Sequence, residues 1–231
     1  MGKITEILNP LVGNEWATAL TPCLSLAYFN GLGAFINKQY SIETIYPEKS
    51  NIFNAFNFTP FSKVNVVFVG LDPYTKQNQA YGVSFGVTEN CMSIPPSLRN
   101  IYKEIEKDVY NGLLLDFDYS LRQWCDQGCF MYNTALTVVE GKTGSHIKNW
   151  VEFTKAVFAA LNTKEFCIFV LLGKQAQSFK KYIQDKEHFY VIEASHPAAE
   201  AYKQNAGFFG SKVFTKINKI LLENGHNQIK W

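Results

Sequence analysis

The sequence predicts an α/β fold in which helices cover both faces of a parallel sheet, and three observations carry that prediction. Strand-length apolar runs recur along the chain, amphipathic helical patterns lie between them, and no linker, repeat or low-complexity tract divides the 231 residues. A composition that is 47% hydrophobic and 18% charged is enough to bury a sizeable core, so residues 1–231 are expected to form a single domain.

The first run, Val64 to Val69 (VNVVFV), leads into Gly70-Leu71-Asp72-Pro73-Tyr74. Its near-continuous apolarity suits a strand covered on both sides. A helix follows Pro95-Pro96, with Ser97 as its expected N-cap and Leu98, Ile101, Tyr102 and Ile105 on one face. Phe130 to Leu136 (FMYNTAL) reads as a second strand and contains Asn133. Phe153, Val157, Phe158 and Leu161 mark another helix. A third strand, Cys167 to Leu172 (CIFVLL), ends at Gly173-Lys174. A fourth, Phe189 to Ala194 (FYVIEA), leads to Ser195-His196-Pro197. The last helix runs from about Val213 to Asn224 and stops at Gly225.

Strands that alternate with helices place ligands beyond the carboxyl ends of the strands. The most suggestive polar residues collect there. Each has an ordinary reading alone: Asp-Pro forms turns, Asn in a strand can satisfy a loop, and His-Pro can simply end a strand. Their convergence on one edge of the sheet is the stronger signal.

Composition narrows the function classes. A formal charge of +2 is far weaker than the basic signature of a protein that holds nucleic acid mainly by charge. Aromatic content of 15% supplies core bulk as well as flat faces on which bases can stack. Five cysteines, with no secretory or transmembrane segment, suit a reducing intracellular setting without disulfides. Cys125 and Cys129, read as lying at a helix end, have no zinc-finger partners, so no metal is expected. No Gly-rich phosphate cradle of the P-loop or dinucleotide type is present, which argues against a nucleotide hydrolase.

The ordered blocks GLDPYT, QAYGVSFGV, IPPSLRNIYKEI, MYNTALTV, SHP and GFFGSKVF resemble the family-1 uracil-DNA glycosylases. The similarity extends upstream through Trp16, Tyr46-Pro47, Ile52-Phe53, Ala55-Phe56 and Thr59-Pro60-Phe61, and ends with Ile229-Lys230-Trp231. The resemblance implies a single-domain, three-layer sandwich with a central four-stranded parallel sheet between helices. It implies hydrolysis of the N-glycosidic bond of deoxyuridine in DNA, the opening step of base-excision repair, without a cofactor.

By the same resemblance Asp72 and His196 are the catalytic positions. Asp72 would orient water and stabilise a cationic sugar, and His196 would hydrogen-bond uracil O2. Leu71, with the backbone amides near it, Tyr74, Phe85 and Asn133 would form the uracil pocket. Tyr74 would exclude the thymine methyl, Phe85 would stack on the base, and Asn133 would read O4 and N3–H. Ser97, Lys174, Ser195, Ala198 and Tyr202 would contact DNA. The implied partner is uracil-containing DNA, single- or double-stranded, met by a monomer without a membrane. A DNA-mimicking protein inhibitor is a candidate second partner. The implied location is intracellular: the cytoplasm of a bacterium, or the nucleus or cytoplasm for a eukaryote or its virus.

Besides a loop two residues longer than the family's before Gly207-Phe208-Phe209-Gly210, the chain departs from the family pattern at four places. Leu71 stands where Gln is usual and Thr75 where His is usual, while Lys174 replaces a common Ser. Ala198-Ala199-Glu200 replaces Ser-Pro-Leu, whose Leu fills the space left by the flipped base. An anionic Glu200 is a poor wedge beside phosphates, which makes Tyr202, or another residue up to Ala206, the substitute candidate. These departures leave two further functions open: a glycosylase-fold DNA-binding or replication accessory protein with weak or no catalysis, and a relative acting on another damaged base or mainly on single strands.

Overall fold

The computed structural model describes residues 14–113, 116–203 and 205–231. Helices α1 (Glu15–Leu20) and α2 (Leu26–Ile42), the short strand β1 (Ile45–Tyr46) and helix α3 (Asn54–Phe58) precede the first long strand, β2 (Val66–Gly70). Then come α4 (Pro96–Asp108), α5 (Arg122–Asp126), β3 (Cys129–Asn133), β4 (Val138–Val139) and α6 (Ile147–Leu161). Strand β5 (Cys167–Leu172), α7 (Lys174–Gln177), β6 (Phe189–Ala194) and α8 (Val213–Glu223) complete the chain. Among the described residues no helix is long and apolar enough to cross a membrane.

The four long strands form one parallel sheet in the order β3-β2-β5-β6, and β1 pairs with β4 as a separate antiparallel ribbon. Strand alternation divides the core. Val67, Val69, Phe130, Tyr132, Phe169 and Leu171 face a layer that includes α1, α2, α3 and α6. Val66, Phe68, Met131, Ile168 and Val170 face the layer of α4, α5 and α8. Because both of their faces are covered, β2, β3 and β5 are buried throughout and read as near-continuous apolar runs, whereas the edge strand β6 is half-buried and carries the exposed Glu193.

The expected strands from Cys167 and Phe189 have the predicted bounds, and the other two are shifted. Val64 ends a 3-10 turn over Phe61–Lys63, so pairing starts at Val66. The strand at Phe130 begins one residue earlier, at Cys129, and stops at Asn133, opposite Gly70 at the end of its neighbour. Cys125 lies in α5 whereas Cys129 opens β3, so the two do not share a helix end.

Ser97 is not an N-cap. Helix α4 starts at Pro96 after an extended Pro95, and the Ser97 hydroxyl turns inward to Tyr74. A proline is well suited to this first helical position because its fixed φ fits the helix and its missing N–H would have no intrahelical partner.

Chain order β2, β3, β5, β6 against spatial order β3-β2-β5-β6 makes the boundary between β2 and β5 a topological switch point. The loops leaving the adjacent strands diverge there and open a crevice at their carboxyl ends.

Candidate active site

The crevice is a cavity of about 630 Å³ lined by residues from the ends of three sheet strands and from the loops between them. Gly70 to Thr75 follow β2, Asn133 ends β3, and His196 follows β6. Close approach of these elements needs glycine twice. A Cβ on Gly70 would lie 2.2 Å from Asn133 Oδ1 and 2.4 Å from Ser84 Oγ. At Gly173, where φ is +91°, a Cβ would lie 2.7 Å from that of His196.

Asp72 Oδ2 accepts the backbone N–H of Gly144, a residue in the turn before α6. Burial pushes the Asp72 pKa above the ordinary carboxylate value, and the Gly144 bond opposes that shift. The other oxygen, Oδ1, has no protein donor among the described residues.

His196 Nδ1 accepts the N–H of Ala198 at 3.1 Å. A neutral imidazole accepting at Nδ1 carries its proton on Nε2, so the ring offers a donor on its other side. Although the ring is open to solvent, desolvation by the surrounding protein lowers its pKa and favours this neutral form. The backbone behind it is fixed by Asn100, whose Nδ2 donates to Pro197 O at 2.9 Å.

Tyr74 is held at its far end. Its hydroxyl donates to Phe85 O at 3.0 Å and meets Ser97 Oγ at 2.8 Å. Its single proton goes to Phe85, so Ser97 is the donor in the second bond. Phe85 has φ of +64°, an uncommon conformation for an aromatic residue. Strain of this kind persists where the surroundings over-determine it, and it concentrates at functional sites. Here Ser84 N–H donates to Met131 O and Val87 N–H to Tyr119 O, fixing the chain on both sides. The Phe85 ring lies 5.9 Å from that of His196. Asn133 is buried, and its amide has no protein partner among the described residues.

Of the residues singled out from the sequence, Leu71, Asp72, Tyr74, Phe85, Ser97, Asn133, His196, Ala198 and Tyr202 line this cavity. Lys174 instead borders an adjoining cavity of about 220 Å³, shared with Leu71, Gln175 and His196. Ser195 lies behind the wall, its Oγ donating to Ala206 O at 2.6 Å. Ser97 is only 5% exposed, so its hydroxyl serves Tyr74 in the free protein.

Sequence reasoning missed Gly144, Asn100 and Glu104. The Glu104 carboxylate takes the N–H groups of Gly210 at 2.8 Å and Lys212 at 3.0 Å. A charged residue on the apolar face of α4 was the available signal for Glu104. Gly144 contributes only an N–H, which leaves no side-chain signature.

The sequence model of the uracil DNA glycosylase superfamily matches residues 56–222. A uracil-DNA glycosylase of Halalkalibacterium halodurans is 41% identical over 223 residues, covering 96% of this chain and 97% of its own. One from Bacillus cytotoxicus is 39% identical over 226 residues, covering 97% and 98%. Among solved structures, mimivirus uracil-DNA glycosylase superposes with a TM-score of 0.82 at 29% identity, covering 94% of this chain and 86% of that one. A mimivirus Y322F variant in complex with UGI gives 0.84 at 30% identity, covering 97% and 90%. With a match across most of its length and the sheet and crevice described above, the chain belongs to the uracil-DNA glycosylase superfamily.

Proposed function

We propose that this chain is a uracil-DNA glycosylase that hydrolyses the N-glycosidic bond of deoxyuridine in DNA, releasing uracil and leaving an abasic site for base-excision repair. The observation that carries the reading is the meeting of Asp72, Tyr74, Phe85, Asn133 and His196 around one cavity at the strand ends. We take the full 231 residues as one glycosylase-like domain acting as a monomer.

Breaking this bond puts positive charge on the sugar and negative charge on the departing base, and a catalyst must stabilise both. Asp72 supplies the negative charge. With Oδ2 occupied by Gly144, Oδ1 is the oxygen left to orient water and face the cationic sugar. General acid or base assistance contributes about 10² to 10⁴ in rate. His196 donates Nε2–H to uracil O2, where negative charge accumulates, and backbone amides near Leu71 and Asp72 complete that set.

Base choice follows from chemistry and rigidity. Asn133 donates Nδ2–H to O4 and accepts N3–H at Oδ1, whereas cytosine presents a donor and an acceptor in the opposite places. A site built on such bonds rejects the mismatched ligand by roughly 10⁴ to 10⁵. A methyl group in a yielding pocket is worth only about 1–3 kcal/mol, so exclusion of thymine requires a stiff wall. The two bonds on the Tyr74 hydroxyl supply that stiffness. Phe85 stacks on the base.

Because the base is hidden in a duplex, it must be swung out at a cost of a few kcal/mol. Phosphate contacts from Lys174, the amides around Ser97 and the Ser195–Ala198 turn offset that cost, and Tyr202 enters the vacated space. A protein inhibitor of the kind named UGI would seat on the same mouth. Its DNA substrate places the enzyme inside the cell.

The decisive experiment measures uracil release from matched single- and double-stranded oligonucleotides in EDTA, with thymine controls. Release from the uracil strands alone supports the reading. No release at high enzyme concentration would replace it with a DNA-binding accessory role.

A further inference from the structure

The loop from Pro197 to Gly210 begins with a departure from the family pattern, Ala198-Ala199-Glu200, and its Glu200 is held by four backbone groups. Oε1 accepts the N–H of Gly207 at 3.0 Å, Phe208 at 2.8 Å and Phe209 at 3.1 Å. Oε2 accepts the N–H of Ala206 at 3.1 Å. These are charge-assisted bonds, about twice as strong as neutral ones. Burial alone would raise the Glu200 pKa, but the four amides outweigh it and the net shift is downward. The carboxylate therefore points into the loop, with its charge met by N–H dipoles.

Both ends of the loop are tied as well. Ser195 Oγ donates to Ala206 O, and α4 takes hold through Asn100 at Pro197 and Glu104 at Gly210 and Lys212. Within the span closed by Glu200 lies Tyr202, which is 86% exposed and lines the mouth of the cavity.

We propose that Glu200 is a positioning residue whose carboxylate closes this loop and holds Tyr202 over the cavity mouth, ready to fill the space left by a base swung out of a duplex. The proposal rests on the reading of Tyr202 as the inserted side chain. It assigns a role to an anion that is ill placed beside DNA only when the loop conformation is ignored. The charge orders the loop and does not enter the base stack.

The test compares wild type, Tyr202→Ala, Glu200→Ala, Glu200→Gln and the Glu200→Ala/Tyr202→Ala double variant. Single-turnover uracil release is read on matched single and double strands, together with the fluorescence of 2-aminopurine placed beside uracil in the duplex. A purely structural role lowers both substrates alike, whereas a positioning role changes their ratio. Tyr202→Ala is expected to slow duplex release about tenfold and leave single-strand release within about twofold, with a weaker fluorescence rise. Glu200→Ala should do the same, and the double variant should add less than about twofold, as residues acting in one unit do. Glu200→Gln keeps one oxygen acceptor and should fall between. A normal Tyr202→Ala ratio overturns the wedge reading and the proposal with it. A shifted Tyr202→Ala ratio beside an unchanged Glu200→Ala ratio overturns the proposal alone. If Glu200→Ala does not fold, an unchanged ratio in Glu200→Gln overturns it.

Discussion

The N–H of Gly144 donates to Asp72 Oδ2 across 72 residues of sequence, joining the end of β2 to the turn before α6. This bond partly offsets the cost of burying a charge, yet the Asp72 pKa remains above its ordinary value. A folded-state pKa above the unfolded one means that the native protein binds the proton more tightly. The site therefore costs stability once pH rises through the folded pKa. Asp72→Asn is thus expected to raise the melting temperature at neutral pH while lowering uracil release about 10² to 10⁴-fold. Calorimetry and single-turnover release on the same preparation check both, with binding to uracil-containing DNA retained. Full activity in the variant would refute the assigned chemistry.

The pH dependence follows from two shifts in opposite directions. Asp72 must be ionised, and its pKa is raised; His196 must be neutral, and its pKa is lowered, in both cases by burial first. Protonating His196 would set a new Nδ1–H against the Ala198 N–H that it now accepts. Both groups therefore fail on the acid side. Single-turnover release should be level through neutral pH and fall only on the acid side of the ordinary histidine range, because the His196 pKa is lowered from it. A rate that rises on acidification would contradict both roles.

What the sequence revealed depended on the range of the interactions involved. Strands β2, β3 and β5 were legible because each is covered on two faces, and α4, α6 and α8 because each turns a wide apolar stripe to the sheet. Helices α3, α5 and α7 have five, five and four residues, too few for a period to show. Helix α2 carries Gly31 and Gly33 in its interior, which blurs its pattern. Asp72, Asn133 and His196 could be found because they sit at strand ends, where a parallel sheet gathers ligands. The inward turn of Glu200 depends on backbone amides that become available only when residues 206–209 adopt their loop conformation, and no residue identity announces that. Ser97 does not cap α4, because the two prolines before it supply the start of the helix themselves.

Base choice should respond to the backbone beside Asn133 as well as to its amide. Gly70→Ala would drive a methyl into Asn133 Oδ1 and Ser84 Oγ, both of which approach the position of that Cβ within 2.5 Å. The Asn133 amide must then shift, so uracil release should fall at least about tenfold, the cost of one displaced hydrogen bond in a buried site. Asn133→Asp keeps the shape but, when protonated at one oxygen, can pair with cytosine; it should show cytosine release that wild type lacks. Oligonucleotides carrying one uracil or one cytosine check both variants. Strict uracil choice in Asn133→Asp would refute the pocket assignment.

Ser97 presents two separable expectations. If its hydroxyl acts on a phosphate, Ser97→Ala should weaken DNA binding and reduce its salt dependence, without changing base choice. The structure instead has Ser97 5% exposed and its hydroxyl bonded to Tyr74, whose other bond is to the carbonyl of the strained Phe85. Removing it leaves Tyr74 with one anchor and a buried oxygen short of a donor, a cost of about 1–3 kcal/mol. The expected result is a lower melting temperature, near-normal uracil release and measurable thymine release, still below that of Tyr74→Ala, which removes the wall altogether. Side-by-side assays on uracil and thymine oligonucleotides, with binding measured at two salt concentrations, separate the two roles. A loss of salt-sensitive binding with thymine still excluded would assign Ser97 to the phosphate and leave the rigidity of Tyr74 to Phe85 alone.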